Sequence, residues 1–452
     1  MKPELLALSA TLAYAGMCLG LWRRARRRHA QRSDAAKALR LAADRAEPLL
    51  ILHASQTGQA EEIAWQSARL LHEGGLAVRV AALGETAPAT LAAQRDVLIV
   101  ASTYGEGDAP DAASRFASAM AASGSRSLRS LRFGLLALGD TSFQAYCGFG
   151  RRLDAWLREQ GAEPIFARIE VDRLDAQALA QWRRQLAHLA GTHDLDDQPG
   201  WEAPCFASWR LLARRCLNHG SQGAPLYHLE FKPTDSPLPG WQAGDLVQLR
   251  LPESSQDAVP RDYTIASIPA DGRVHLLVRQ AGRASNWLCT QLAVGDAASL
   301  RLRAHASFRI GTNAGRPLVL VGNGSGMAGL RAHLRARAAQ PRPEPCWLLF
   351  GERQRAHDAL YRNEIEAWQD AGLLAHVDWA FSRDQAARRH VQHVLREQHA
   401  RLAEWLDRGA ALLVCGSLQG MGSGVDTVLR ECLGDARIDT LIASGRYLRD
   451  VY

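Results

Sequence analysis

The sequence predicts a multidomain α/β protein: an open, doubly wound parallel sheet, then an antiparallel β-barrel, then a second parallel α/β sheet, preceded by one transmembrane helix. Three observations carry that prediction. Between residues 49 and 143, apolar strands end repeatedly in hydroxyl-rich or glycine-rich turns. From Leu226 to Arg303 the pattern changes to short strands of alternating polarity. From Leu318 onward apolar strands again alternate with helices, and the first runs into a glycine turn. At 452 residues the chain exceeds the roughly 250–300 at which one core stops growing, so two or three domains are expected.

The net charge is +7, and much of the excess sits in Arg23, Arg24, Arg26, Arg27, Arg28 and Arg32. A nucleic-acid partner would need a basic face interleaved with aromatics, and the sequence has none. The eight cysteines include no C-x-x-C pair. That excludes a disulfide framework, an iron–sulfur cluster and a structural zinc, so no metal is expected.

Leu5 to Trp22 is apolar apart from Ser9, Thr11 and Tyr14, and as a helix it spans roughly 27 Å. Arginines follow it at once, whereas only Lys2 precedes it. A secretion signal would carry its charges before the apolar run, and a buried core helix would not end in five arginines within six residues. Residues 1–22 are therefore expected to be a signal anchor and 23–46 a basic juxtamembrane spacer. By the positive-inside rule everything after residue 22 lies in the cytoplasm, on a single-pass protein of the inner (cytoplasmic) membrane.

Residues 47–190 form the first predicted domain. The strand Leu49–His53 runs into Ala54-Ser55-Gln56-Thr57-Gly58-Gln59-Ala60 and then a helix. Backbone N–H groups, the helix dipole and two hydroxyls make an anion site there. The loop lacks the Gly-Lys-Ser/Thr ending of a nucleotide-triphosphate loop and suits a monophosphate. After Val97–Ala101 comes Ser102-Thr103-Tyr104-Gly105-Glu106-Gly107-Asp108, and after Phe133–Leu138 comes Gly139-Asp140-Thr141-Ser142-Phe143. Both loops lie at C-terminal strand ends, where open sheets bind ligands. Tyr104 and Phe143 offer one aromatic face each, and the alternative is that they merely cover the sheet end.

These runs resemble the flavodoxin-like FMN domain of diflavin reductases, the family of cytochrome P450 reductase and the sulfite reductase flavoprotein subunit. The resemblance implies FMN bound by Ser55, Gln56, Thr57, Gly58, Gln59, Ala60, Ser102, Thr103, Tyr104, Gly105, Gly107, Leu138, Gly139, Asp140 and Phe143. Tyr104 and Phe143 would stack on the ring; the family usually has tyrosine at the second position.

Residues 191–204 are polar, with Gly and Pro, and read as a linker. The predicted barrel, 205–312, carries Arg261-Asp262-Tyr263-Thr264-Ile265-Ala266-Ser267 on a short strand, then Gly282-Arg283-Ala284-Ser285 opening a short helix. A guanidinium, a phenol and hydroxyls side by side suit a flat cofactor with a pyrophosphate. The resemblance here is to the FAD barrel of ferredoxin reductases, with Arg261, Tyr263, Thr264, Ser267, Gly282, Ala284, Ser285 and the terminal Tyr452 as FAD contacts. Only about ten residues separate Leu251 from Arg261, too few for the helical connecting domain found there in larger relatives. The linker and direct docking must then set the distance between the flavins.

The last predicted domain, 313–452, opens with the strand Leu318–Val321 and Gly322-Asn323-Gly324-Ser325-Gly326. Its glycines allow close backbone approach to a second pyrophosphate. Ser382, Arg383 and Arg388 at a strand end suit a 2′-phosphate, where an NAD site would place an acid; a solvated charged face is the rival reading. The resemblance implies NADPH held by Gly322, Gly324, Ser325, Gly326, Arg353, Ser382, Arg383, Arg388, His390, Gln392 and Cys415. It also implies catalytic roles for Thr264, Cys415, Asp450 and Tyr452, with Tyr452 covering the FAD ring. The function it implies is electron transfer from NADPH to FAD to FMN to a one-electron acceptor, a haem protein or a ferric complex near the membrane. The alternatives are a flavin-binding redox sensor and a flavoprotein component of a sulfite reductase.

Overall fold

The computed structural model describes residues 48–122, 128–191, 205–252 and 260–452. The first sheet contains β1 (Leu49–Ala54), β2 (Val78–Ala82), β3 (Asp96–Ser102), β4 (Arg132–Gly139), β5 (Glu163–Pro164) and β6 (Ile169–Asp172). Its order is β2-β1-β3-β4, with β5 and β6 pairing successive parts of β4, and every pair is parallel. Along β1 and β3 alternate residues serve opposite faces. Leu50, Leu52, Val97 and Ile99 enter one core cluster, and Ile51, Leu98 and Val100 the other. A sheet buried on both sides explains the nearly unbroken apolar runs of its sequence. Because β2 and β3 lie on opposite sides of β1, the chain reverses direction there, and a crevice opens at the C-terminal ends of β1 and β3.

Six antiparallel strands follow: β7 (Ala207–Cys216), β8 (Leu226–Pro233), β9 (Leu246–Arg250), β10 (Arg261–Thr264), β11 (Val274–Arg279) and β12 (Ala297–Arg303). They run in the order β10-β9-β12-β7-β8-β11. A single bridge from Ile265 to Leu276 joins the two edge strands and closes the sheet on itself. Trp209, Leu211, Phe231, Val247, Ile265 and Leu276 fill the inside, the arrangement by which a barrel removes its exposed edges. The strand expected to run on through Ser267 ends at Thr264. Ser267 instead accepts from His275 N–H (2.9 Å) and donates to the Arg273 carbonyl (2.9 Å), bracing the turn.

The third sheet is parallel: β13 (Leu318–Asn323), β14 (Cys346–Glu352), β15 (Leu374–Phe381), β16 (Ala411–Gly416) and β17 (Tyr447–Val451), in the order β15-β14-β13-β16-β17. Its reversal lies between β13 and β16. The glycine turn after β13 packs directly on the end of β16. A Cβ at Gly322 would stand 2.5 Å from the Cys415 carbonyl oxygen, and one at Gly326 2.1 Å, so no other residue fits either position. The sheet is fastened to the barrel through Arg331, which donates to the Ala266 carbonyl (2.6 Å) and pairs with Glu364 (2.8 Å).

The expectation of a membrane-anchored protein at the cytoplasmic membrane is corrected. No helix among the described residues is long and apolar enough to cross a membrane. The longest, Gln59–Glu73, has 15 residues, about 22 Å against a hydrocarbon core of roughly 30 Å. The stretch behind the expectation, Leu5–Trp22, lies outside the described residues, as does most of the linker at 191–204.

Candidate active site

Two cavities lie at the C-terminal strand ends, and Tyr452 lines both. One, of about 480 Å³, sits over the reversal of the third sheet. It gathers Gly324, Ser325, Arg353, Ser382, His390 and Gln392 from the predicted nucleotide residues. Gly322, Gly326, Arg383, Arg388 and Cys415 do not line it. Arg383 and Arg388 are exposed, but Arg383 N–H donates to the Arg353 carbonyl (2.8 Å), tying their loop to the cavity edge. Sequence reasoning gave no role to Arg279 and Glu352, which stand in the cavity wall. They form an ion pair (2.6 Å) between β11 of the barrel and the end of β14. Burial pushes the Glu352 pKa up, and Arg279 only partly opposes that. Gly324 takes a left-handed φ of +56°, and a Cβ there would meet the Arg279 guanidinium at 3.0 Å. The missing side chain leaves the turn open to the cavity.

The second cavity, about 420 Å³, lies between the first sheet and the other two units. Gln56, Thr57 and Gln59 reach it from the loop after β1, Ser102, Thr103, Tyr104 and Gly105 from that after β3, and Leu138, Gly139, Asp140 and Phe143 from that after β4. From the other side come Arg261, His305, Leu418, Arg449, Asp450 and Tyr452. The loop conformations follow from local bonds. Gly58, with φ +86°, caps the helix Gln59–Glu73, and Ser55 Oγ accepts from Ala60 N–H (3.2 Å). Tyr104 and Asp108 exchange two backbone hydrogen bonds (2.9 and 2.8 Å), which closes the loop holding Gly105 and Gly107. Asp140 accepts from both Ser142 N–H (2.8 Å) and Ser142 Oγ (2.6 Å). The buried Thr103 Oγ1 and Tyr104 hydroxyl have no protein partner. Such orphaned groups beside a cavity are what a polar ring or phosphate would satisfy. Tyr146 and Arg173 also line this cavity and carried no sequence signal.

The structure separates other expected contacts from both cavities. Ser55, Gly58, Ala60, Gly107, Tyr263, Ser267, Gly282, Ala284 and Ser285 line neither. The Ser285 hydroxyl is occupied locally: it accepts from Ala281 and Gly282 N–H (3.0 and 2.9 Å) and donates to the Gly282 carbonyl (2.9 Å).

The four expected catalytic residues converge where β10, β16 and β17 meet. Thr264 Oγ1 donates to Asp450 Oδ2 (2.6 Å), and Cys415 Sγ approaches the same oxygen at 3.6 Å. Burial, reinforced by the Asp450 carboxylate, holds the Cys415 pKa well above that of an ordinary thiol. Cys415 is therefore a protonated donor and not a thiolate nucleophile. The Tyr452 hydroxyl donates to Ser325 Oγ (3.0 Å), while the residue as a whole stays 57% exposed.

One cluster of metal-ligand type occurs among the described residues: His228, Glu230 and His275. Guanidinium groups occupy part of it, since Arg273 pairs with Glu230 (2.5 Å) and Arg331 lies 3.3 Å from His275 Nδ1. Tyr361 takes His228 Nδ1 (2.9 Å). The arrangement braces the barrel against the third sheet.

Comparison with known proteins matches residues 51–185 to the flavodoxin family and residues 320–427 to the oxidoreductase NAD-binding domain. Over nearly its whole length the chain is similar to proteins named sulfite reductase [NADPH] flavoprotein alpha-component. The one from Bacillus subtilis is 24% identical, covering 89% of each chain. Those from Neisseria meningitidis and Klebsiella pneumoniae are 26% identical, covering 92% and 93% of this chain and 91% and 92% of theirs. The first alignment runs over 538 columns against 452 residues here, so that relative carries a long insertion. With a flavodoxin unit, a nicotinamide-nucleotide unit and this similarity in one chain, the protein belongs to the diflavin reductase family.

Proposed function

We propose that the protein is an NADPH-dependent diflavin oxidoreductase in which electrons enter from NADPH at FAD, pass to FMN and leave to a separate one-electron acceptor. The observation that carries this reading is the shared wall of the two cavities. Nucleotide residues, Asp450 with the buried Thr264 and Cys415 behind it, and the loops of the flavodoxin unit meet around Tyr452. Bound flavins supply the exchange between a hydride pair and single electrons, which side chains do not perform.

The chain's own residues do the rest. Ser325, Arg353, Ser382 and His390 hold the nucleotide, with Arg383 and Arg388 giving positive charge at the edge where a 2′-phosphate lies. Asp450 fixes the Thr264 hydroxyl and the Cys415 thiol beside the reacting edge. Tyr452 excludes water from that edge until nicotinamide takes its place. Tyr104 and Phe143 would flank the FMN ring, and Gln56, Thr57, Gln59 and Thr103 would meet its polar atoms and phosphate. The names of the relatives favour, as acceptor, another component of a sulfite reductase. The full chain should release FMN and FAD in equal amounts and reduce ferricyanide and cytochrome c with NADPH. Unequal flavins after reconstitution, or both flavins bound without turnover, would refute the reading.

A further inference from the structure

The flavodoxin unit does not merely lie beside the rest of the molecule; one arginine from the far end of the chain fastens it. Arg449, on β17, makes a two-pronged ion pair with Asp111 in the segment after β3; its Nε lies 3.0 Å from Asp111 Oδ2, and its Nη2 reaches Oδ1. The partners are 338 residues apart in sequence. Both side chains are largely buried, at 18% and 13% exposed. Burial disfavours the Arg449 charge, but Asp111 more than compensates and holds its pKa up. The guanidinium also lies over the rings of Tyr104 (5.6 Å) and Tyr447 (5.4 Å). Gln56 completes the joint: its amide donates to Asp111 Oδ2 (3.0 Å) and, at 3.4 Å, to the Arg449 carbonyl, while its Oε1 accepts from Asp111 N–H (2.8 Å).

We propose that Arg449 is a positioning residue for electron transfer between the flavins, clamping the flavodoxin unit through Asp111 onto the strand that carries Asp450 and Tyr452. The inference rests on the diflavin reading above. Two features favour a clamp over an incidental surface pair. Its geometry is bidentate and largely desolvated, unlike exposed ion pairs that contribute little. It joins a loop of the FMN side to the residue immediately before Asp450. Loss of Arg449 leaves Asp111 facing Tyr104 and Gln56 without its counter-charge, so the docked arrangement is weakened more than either separate unit.

The test uses the full chain loaded with both flavins. X-ray scattering of the wild type should give a radius of gyration near the roughly 22 Å of a compact chain of this length. Arg449→Ala and Asp111→Ala should each be measurably larger, with the double variant no larger than either. In stopped flow with NADPH, reduction of FAD should stay within about twofold of wild type, whereas reduction of FMN should slow by about tenfold or more. The exchanged pair Asp111→Arg/Arg449→Asp should recover part of both signals. Unchanged scattering and FMN reduction in the single variants would overturn the proposal. So would additive losses in the double variant. If Arg449→Ala does not fold, Asp111→Ala, which alters a loop outside the third sheet, decides alone. A wild type that NADPH does not reduce, or that holds one flavin, would instead defeat the diflavin reading.

Discussion

Two donors, Thr264 and Cys415, converge on one oxygen of Asp450 from strands of different units. No local pattern announces this. The threonine and the aspartate are 186 residues apart, and neither stands at a spacing that chemistry requires. They were legible only through family resemblance. Their convergence gives that resemblance a physical content: an acceptor that holds a hydroxyl and a protonated thiol in fixed orientation. Asp450→Asn keeps the shape and removes the charge. Reduction of FAD by NADPH should slow by about 10–100-fold, while the affinity for 2′,5′-ADP stays unchanged. An equal loss in both measurements would show that Asp450 only supports the nucleotide cavity. Gln56 shows the reverse failure. Its place in a phosphate loop was evident, but its side chain serves the clamp, because contacts between distant surfaces leave no periodic trace in a sequence.

At the scale of elements, strands of the central α/β sheets could be read from apolar runs, and their ligand loops from the Gly, Ser and Thr residues that end them. Five strands were not read: β2, β5, β6, β7 and β17. β2 (Val-Arg-Val-Ala-Ala) and β17 (Tyr-Leu-Arg-Asp-Val) lie at sheet edges and interleave polar with apolar residues, so neither stands out as a run. Yet β17 carries the clamp, the convergent acid and, just beyond it, Tyr452. Its register with β16 sets all three, placing Arg449 against Val414 and Asp450 against Cys415. On the proposed reading, displacing the Tyr452 ring would draw on nucleotide binding energy, which NADH, lacking the 2′-phosphate, would supply less well. Deleting Tyr452 should therefore raise the rate with NADH relative to NADPH by about tenfold or more at equal concentration. An unchanged ratio of initial rates would remove Tyr452 from the gate.

For the whole molecule, stability depends on histidines buried at the joints. Burial depresses His333 to about 4; His228 and His275 fall to about 4 through burial and neighbouring positive groups, Arg331 among them. His333 is neutral, with Nε2–H donating to the Phe308 carbonyl (3.0 Å) between barrel and third sheet. The unfolded chain takes up these protons near pH 6.5 and the folded one only near 4, so stability is complete above 6.5 and declines as pH falls through that window. One such histidine is worth on the order of 2 kcal/mol between pH 7 and 5. The urea midpoint should drop over that range, and drop less in His333→Asn; parallel slopes would assign the effect elsewhere.

Three further contacts join the flavodoxin unit to the barrel. Arg301 grips Glu62 (3.0 Å), and His305 (3.2 Å) and Ser307 reach the Gln56 carbonyl. The exit from the barrel thus touches the very loop expected to carry the FMN phosphate.

The terminal phenol ring is a wall common to both chambers. A ligand that pushes it aside on one side alters the volume and polarity of the other in the same instant. If nucleotide enters the first chamber and flavin the second, communication between them would need no relay through the sheets: it would be a matter of which of two occupants stands at one position.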